Sequence, residues 1–164
     1  MTDMFLGTDS LDKLEAGAFL TTKCGERINV MTIGWGGFCY IWRKPIFLAL
    51  VRKSRFSYEG MDAVGEFTVS IPSGDMKNEL AVCGKKSGRD TDKIAECSFE
   101  LIPSETVSVP YLNIPGVHYE CKTVYRFDMT AESVKSDICS KYNMGDPNDF
   151  HVLFFGEVLA SKNI

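Results

Sequence analysis

The sequence predicts a mainly β fold with a few helices, closed or partly closed into a barrel. Apolar runs of strand length, rich in β-branched and aromatic residues, recur along the chain between turn residues. Only two segments carry a clear helical pattern, and the strands do not alternate regularly with long helices. This spacing argues against a doubly wound parallel sheet and favours a barrel with inserted helices.

The first two predicted strands, residues 18–22 and 28–35, flank a short hairpin loop at 23–27, where Gly25 supplies the unusual backbone angle. Residues 46–51 are apolar on both faces, so we expect a central strand covered on both sides. The later predicted strands are residues 67–71, 118–129 and 150–159, of which the segment 118–129 shows apolar and polar alternation.

Helices are predicted between these strands. The first covers residues 54–64, with serines near its start and Gly65 just past its end. The second covers residues 75–83, with apolar side chains at positions i, i+4 and i+7 and Gly84 as its stop. A shorter helix is expected from Asp90, whose carboxylate is a good N-cap.

Composition limits the function classes. The 164 residues are 45% hydrophobic and 24% charged, which indicates one globular domain over residues 1–164. The net charge of −4 argues against a nucleic-acid partner. No apolar run approaches the roughly 20 residues that span a bilayer, so no membrane partner is expected.

Six cysteines and two histidines carry no metal-ligand spacing, so no metal site is predicted. The cysteines form no close pairs, and the start of the sequence carries no readable secretory signal. We therefore expect reduced thiols and a cytoplasmic location.

Two familiar phosphate-binding motifs fail. In Gly34-Trp35-Gly36-Gly37 the third glycine position of a dinucleotide fingerprint holds Cys39. The segment 83–88 lacks the first glycine of a Walker loop, because Glu79 stands there. No catalytic triad or carboxylate pair is readable either, so no catalytic side chain is predicted, and His151 is interpreted as a core or interface residue.

Two cationic stretches remain. Residues 43–55 and 85–93 hold nine of the 18 basic residues and only two acids. Each follows or precedes a predicted helix and contains hydroxyl groups, a combination that suits a phosphate. The alternative for each stretch is a solvated polar loop. The extended backbone of residues 29–32 could hydrogen-bond a flat heterocycle. The alternative interpretation is that these residues form an ordinary core strand.

The order and spacing of several segments carry a resemblance over residues 18 to 158. These segments are Asn29-Val30-Met31-Thr32-Ile33-Gly34-Trp35, Ile41-Trp42-Arg43-Lys44-Pro45 and Val51-Arg52-Lys53-Ser54-Arg55-Phe56-Ser57-Tyr58-Glu59, followed by residues 65–72, 83–93, 119–121 and 151–158. Together they resemble the flavin reductase-like family, which includes flavoredoxin.

The resemblance implies an FMN-binding split β-barrel of Greek-key type, paired as a homodimer, with FMN held noncovalently. It places the strand Asn29, Val30, Met31 and Thr32 along the isoalloxazine ring. It implies that Ser54, Arg55 and Ser57 hold the phosphate, with help from Ser87, Gly88 and Lys93. It also places Arg52, Cys83 and Gly84 near the ring or the ribityl chain.

The function implied is an FMN-dependent oxidoreductase of the flavin reductase or flavoredoxin type. Hydride or electrons would pass through FMN from a donor, NAD(P)H or a redox protein, to an acceptor. The alternative is an FMN-binding electron carrier or sensor without turnover of its own. NAD(P)H use follows from analogy alone, because the sequence carries no recognisable nicotinamide site.

Overall fold

A seven-stranded antiparallel sheet forms the body of the computed structural model, which describes residues 8–142, 146 and 149–164. Its strands follow the order β2-β1-β5-β8-β9-β4-β3. They are β1 Ala18–Cys24, β2 Arg27–Ile33, β3 Gly36–Ile41, β4 Lys44–Arg52, β5 Glu66–Pro72, β8 Gly116–Asp128 and β9 His151–Asn163, while β6 Leu101–Ile102 and β7 Tyr111–Leu112 form a separate pair.

The described part of the chain has five helices, of which the first precedes β1 and the other four lie between strands. They are α1 Thr8–Ala16, α2 Phe56–Val64, α3 Lys77–Lys85, α4 Lys93–Glu96 and α5 Ser136–Tyr142. None of the described helices is long and apolar enough to cross a membrane. All six cysteines are free thiols.

The core lies inside the curved sheet and is built from large side chains of neighbouring strands. Phe47, Phe67, Tyr119 and Phe154 are each at most 1% exposed. A Cβ atom at Gly156 would lie 2.4 Å from Cζ of Phe67, so only glycine lets that ring pack against β9. Burial of these rings supplies most of the apolar stabilisation of the sheet.

The predicted strands are confirmed, but β4 is not covered on both faces. Phe47, Ala49 and Val51 are buried, whereas Leu48 and Leu50 between them are only partly buried. The expectation of a doubly covered strand was wrong because Leu50 faces a cavity rather than a second layer of structure. The β1–β2 hairpin is also tighter than predicted, since both strands extend up to the turn at Gly25.

Helix α2 begins two residues later than predicted, and its N-cap residue Arg55 makes no side-chain capping bond. Gly65 is confirmed as its stop, because this residue adopts the left-handed conformation at φ 70° and its N–H reaches the Met61 carbonyl. The serine hydroxyls at the start of the segment therefore do something other than cap the helix.

Two other helix boundaries were predicted wrongly. Helix α3 runs through Gly84 to Lys85, since a glycine ends a helix only where the backbone turns left-handed, and Gly84 stays helical. Helix α4 is capped by Asp92 rather than Asp90, because the Asp92 carboxylate accepts hydrogen bonds from the N–H groups of residues 94 and 95.

Candidate functional site

A polar cavity of about 160 Å³ lies where β2, the start of α2 and the loop after α3 meet. Four of its lining side chains are basic, and none of the lining residues is a carboxylate. This charge balance suits an anion. The lining residues are Asn29, Met31, Ser54, Arg55, Phe56, Ser57, Cys83, Lys85, Lys86, Ser87, Gly88 and Lys93.

Lys93 is a buried cation in this cavity. It is 4% exposed, and its Nζ donates to the backbone carbonyls of Cys83 and Lys86, each at 3.3 Å. Burial lowers the pKa of Lys93, and the nearby charges of Arg55 and Arg27 lower it further. No carboxylate of the described chain contacts Lys93, so an anion in the cavity would supply its missing counter-charge.

Hydrogen bonds hold the side chains around Lys93 in place. The amide of Asn29 donates to the hydroxyl of Ser57 at 2.8 Å, and Ser57 is only 1% exposed in the first turn of α2. The Arg55 guanidinium donates to the Gly84 carbonyl at 2.9 Å, which joins the start of α2 to the end of α3. The first N–H groups of α2 and these fixed cations are suited to binding a phosphate.

Gly88 lets the loop after α3 approach β2. A Cβ atom at this position would lie 2.0 Å from Oδ1 of Asn29 and 2.6 Å from the Phe56 ring. The Phe56 ring itself lies between two guanidinium groups, with Arg27 5.3 Å and Arg89 5.5 Å from its centre. The narrow approach at Gly88 therefore requires the absence of a side chain.

Ser54 and Arg52 are engaged with the segment before β9. The Ser54 hydroxyl donates to the Asp149 carboxylate at 2.7 Å, and the Ser54 N–H donates to the same group at 3.1 Å. The Arg52 guanidinium donates to the backbone carbonyls of Asp149, at 2.8 Å, and Tyr142. Both residues line a cavity, but their donors are occupied, and their roles toward a phosphate or a flavin stay predictions.

A second cavity of about 210 Å³ adjoins the first and shares Met31 and Arg55 with it. It lies between β2, which contributes Met31 and Thr32, and β4, which contributes Leu50 and Arg52. Three apolar side chains and four polar ones, two of them arginines, line this cavity, a mixture that suits a ring with a polar edge. Trp35 and His151 complete the lining.

His151 lies beside this second cavity because it pairs with Arg52 in the β4–β9 register. Burial lowers the pKa of His151 to about 4, and the Arg52 charge contributes to the shift. The imidazole is therefore neutral at pH 7. The Trp35 ring lies 5.0 Å from it.

Cys83 is a buried and unreactive thiol at the cavity wall. Burial raises the pKa of Cys83 to about 12, and the neighbouring Cys97 adds to the effect. Desolvation is the main cause of this shift.

Eleven of the thirteen sequence-predicted binding residues line one of the two cavities. Val30 and Gly84 do not. Val30 is fully buried in the apolar cluster that contains Phe19 and Leu112, so its side chain lines neither cavity. Gly84 lies against Thr32 and contributes its carbonyl to Arg55.

Six lining residues lie outside the thirteen predicted ones: Trp35, Leu50, Phe56, Lys85, Lys86 and His151. Of these, Lys85 and Lys86 belong to the cationic stretch 85–93 that the sequence analysis identified. Leu50 was expected in a covered strand, and no local pattern distinguishes it from a core residue. His151 enters the site only through pairing with a strand about 100 residues earlier in the chain. Such a long-range pairing has no signature in a single sequence.

Three comparisons relate this chain to known proteins. Residues 16–163 match the model of the flavin reductase like domain. An uncharacterized protein of Archaeoglobus fulgidus is 27% identical over 142 residues, which are 86% of this chain and 68% of that protein. The chain thus spans about two thirds of the length of this relative.

Solved structures share the fold. The flavoredoxin of Methanosarcina acetivorans superposes with a TM-score of 0.72 at 22% identity, over 90% of this chain and 68% of that one. An FMN-binding protein of Thermus thermophilus has a TM-score of 0.68 at 21% identity, over 90% of this chain and 69% of that one. The predicted fold class, a mainly β split barrel with a few helices, is confirmed, and the chain belongs to the family of flavin reductase like domains.

Proposed function

We propose that this protein binds FMN and is an oxidoreductase that passes hydride or electrons from a donor such as NAD(P)H to an acceptor. The observation that carries the proposal is the buried Lys93, which contacts no carboxylate among the described residues and faces a cationic cavity adjoining a second, more open one. A ligand with an anionic phosphate at one end and a flat ring at the other fits this order of cavities.

The residues present suit FMN in two parts. Arg55, Ser57, Ser87 and Lys93 would hold the phosphate, because they supply cations and hydroxyl donors around one small cavity. Met31, Thr32 and Arg52 would lie along the ring, since they line the adjoining cavity. When bound, the flavin supplies the redox chemistry.

The protein's contribution is binding, orientation and charge. Lys93 and Arg55 would neutralise the phosphate within a partly desolvated site, where ion pairing is stronger than in water. The cation of Arg52, already fixed by two backbone carbonyls, would present positive charge to the polar edge of the ring without reorganisation. No side-chain acid or base is assigned.

The test distinguishes the contribution of the phosphate to binding affinity from that of the ring. FMN and riboflavin, which lacks the phosphate, are titrated into protein stripped of flavin, with binding followed by quenching of flavin fluorescence. Arg55→Ala is expected to weaken FMN binding at least tenfold and to change riboflavin binding much less. The matched control is Arg126→Ala, whose guanidinium contacts Asp62 on the outside of the barrel. Unchanged FMN affinity in Arg55→Ala contradicts the phosphate assignment.

Turnover distinguishes the oxidoreductase from the alternative carrier or sensor. Anaerobic addition of NADH or NADPH to the FMN-loaded protein is followed by absorbance, and steady-state oxidation is then measured with added acceptor. Rapid multiple turnover supports the oxidoreductase. FMN that is reduced only by a protein partner supports the carrier.

We also propose a homodimer. Tyr40, Trp42, Tyr125 and Phe127 are 45–63% exposed, and the Trp42 and Tyr125 rings lie 6.1 Å apart. Trp42 and Arg43 both have positive φ at the β3–β4 turn, so the hairpin is held in a form that presents Trp42 to solvent. A second copy would cover this aromatic surface.

Light scattering coupled to gel filtration tests the dimer. Trp42→Ser is expected to shift the protein toward monomer, and a monomeric wild-type protein contradicts the proposal.

We further propose a reducing, cytoplasmic setting, supported by the six free thiols.

A further inference from the structure

A third cavity, of about 250 Å³, opens beside the second and shares Trp35, Leu50 and His151 with it. Its far side is formed by α5 and the segment before it, through Val134, Ile138 and Tyr142. We call this cavity the apolar chamber. It belongs to neither the predicted phosphate site nor the predicted ring site, but it opens onto the latter.

None of the described residues that line the apolar chamber is Asp, Glu, Lys or Arg. The imidazole of His151 is neutral at pH 7, because burial and the Arg52 charge lower its pKa to about 4. A charged ligand would lose its hydration there without gaining a counter-charge, so the lining selects against ions.

Aromatic rings form one wall of the chamber. The Trp35 ring lies edge-on to Tyr142 at 5.3 Å between centres and tilted against His151 at 5.0 Å. Rings at these separations leave faces and edges on which a further ring can stack. The wall therefore favours a flat, unsaturated ligand over a flexible chain.

The chamber is held in place by the chain's own contacts. Arg52 donates to the carbonyls of Tyr142, the last residue of α5, and of Asp149, whose carboxylate accepts from Ser54. These bonds tie Tyr142 and Asp149 to the end of β4 and the residues just after it. A preformed cavity of this kind avoids the ordering cost of closing around a ligand.

We propose that the apolar chamber binds an uncharged aromatic compound of one or two fused rings, placed beside the predicted site of the flavin ring. A dry apolar cavity of about 150 Å³ accommodates benzene, so 250 Å³ accommodates a larger ring system. The position beside a flavin rests on the proposed function. Binding itself does not require the flavin.

The experiment measures binding by calorimetry, with and without FMN, and compares 2-naphthol with naphthalene-2-sulfonate. The two probes share their rings and differ in charge. We expect 2-naphthol to bind at least tenfold more tightly. Equal affinities, or tighter binding of the sulfonate, overturn the proposal.

Two variants locate the site. Val134→Trp fills the chamber and is expected to weaken 2-naphthol binding at least tenfold while FMN affinity stays within twofold. Lys135→Trp places the same ring on the neighbouring exposed position and should change neither affinity. If Val134→Trp fails to fold, Ile138→Asp puts a charge into the chamber and should have the same effect on 2-naphthol.

The two proposals fail separately. Retained 2-naphthol affinity in a folded, chamber-filling variant overturns the chamber while leaving FMN binding untouched. Conversely, charge-selective 2-naphthol binding that is lost in Val134→Trp supports the chamber even if FMN does not bind. FMN titrations on the same samples report on the proposed function independently.

Discussion

Replacing Lys93 by methionine is expected to stabilise the flavin-free protein and to weaken FMN binding. Lys93 is 4% exposed, and among the described residues its Nζ donates to two carbonyl oxygens, each at 3.3 Å, and pairs with no carboxylate. An unpaired buried ion costs several kcal/mol, of which the carbonyls offset a part. Methionine has a similar length and no charge, so the cavity wall is preserved.

The magnitudes follow from these contacts. We expect a net gain of about 1 kcal/mol without flavin, which raises Tm by about 2–4 °C in a domain of this size. The lost charge-assisted bond to phosphate is worth about 1.5–3 kcal/mol, or roughly a 10- to 150-fold increase in Kd. FMN at 100 times Kd adds about 2.7 kcal/mol to the free energy of unfolding of the wild-type protein. With FMN present, the wild-type protein should therefore have a higher Tm than the variant.

In thermal melts we therefore expect Lys93→Met to have the higher Tm without FMN and the wild-type protein to have the higher Tm with FMN. The matched control is Lys77→Met, because Lys77 is exposed, pairs with Asp75 and lies outside the phosphate cavity, so its loss should change the Tm little with or without FMN. A Lys93→Met protein that is less stable without FMN, and that FMN stabilises as strongly as the wild type, would refute the reasoning.

Three further predictions concern the cavity and the barrel. Gly88→Ala should lower FMN affinity at least tenfold by fluorescence titration, whereas Gly74→Ala, which has open space around its Cα, should not. The pKa of His151 is about 4 in the folded protein and 6.5 in the unfolded one. Since the unfolded chain takes up this proton first, stability should fall from pH 6.5 to 4, by about 2 kcal/mol after allowing for partial exposure. In urea titrations, His151→Phe should flatten this dependence, and an unchanged slope would contradict it. Glu120→Gln should cost about 2–3 kcal/mol, because the buried carboxylate accepts the N–H groups of Glu105 and Thr106; Glu105→Gln, at an exposed ion pair, should cost less than about 0.5 kcal/mol by the same titration.

Local signals predicted the parts of the fold that depend on local physics. Strand-length apolar runs located β1, β5 and β8 because each strand must bury at least one face. Gly65 marked the end of α2 because only a residue without Cβ adopts a left-handed backbone at little cost. Gly84 looked equivalent in the sequence, yet it stays inside α3, since the helix continues until Lys86 turns away.

The site was predicted less completely than the strands. Residue type and resemblance identified the cations around the first cavity, but they did not show that Ser54 and Arg52 are engaged by the segment before β9. Nor did they distinguish Val30, which faces the core, from Met31, which faces both cavities. Those distinctions depend on which face of β2 is covered, and that is settled by packing.

The sequence by itself determined the mainly β class, most strand positions and the concentration of cations in two stretches. Only the tertiary structure decided that these stretches meet at one cavity, that Lys93 is buried there, and that His151 and Trp35 line both the second cavity and the apolar chamber. The physical reason is that alternation and charge are local properties of a chain. Burial, desolvation and the joining of distant strands such as β4 and β9 arise only when the whole sheet has formed.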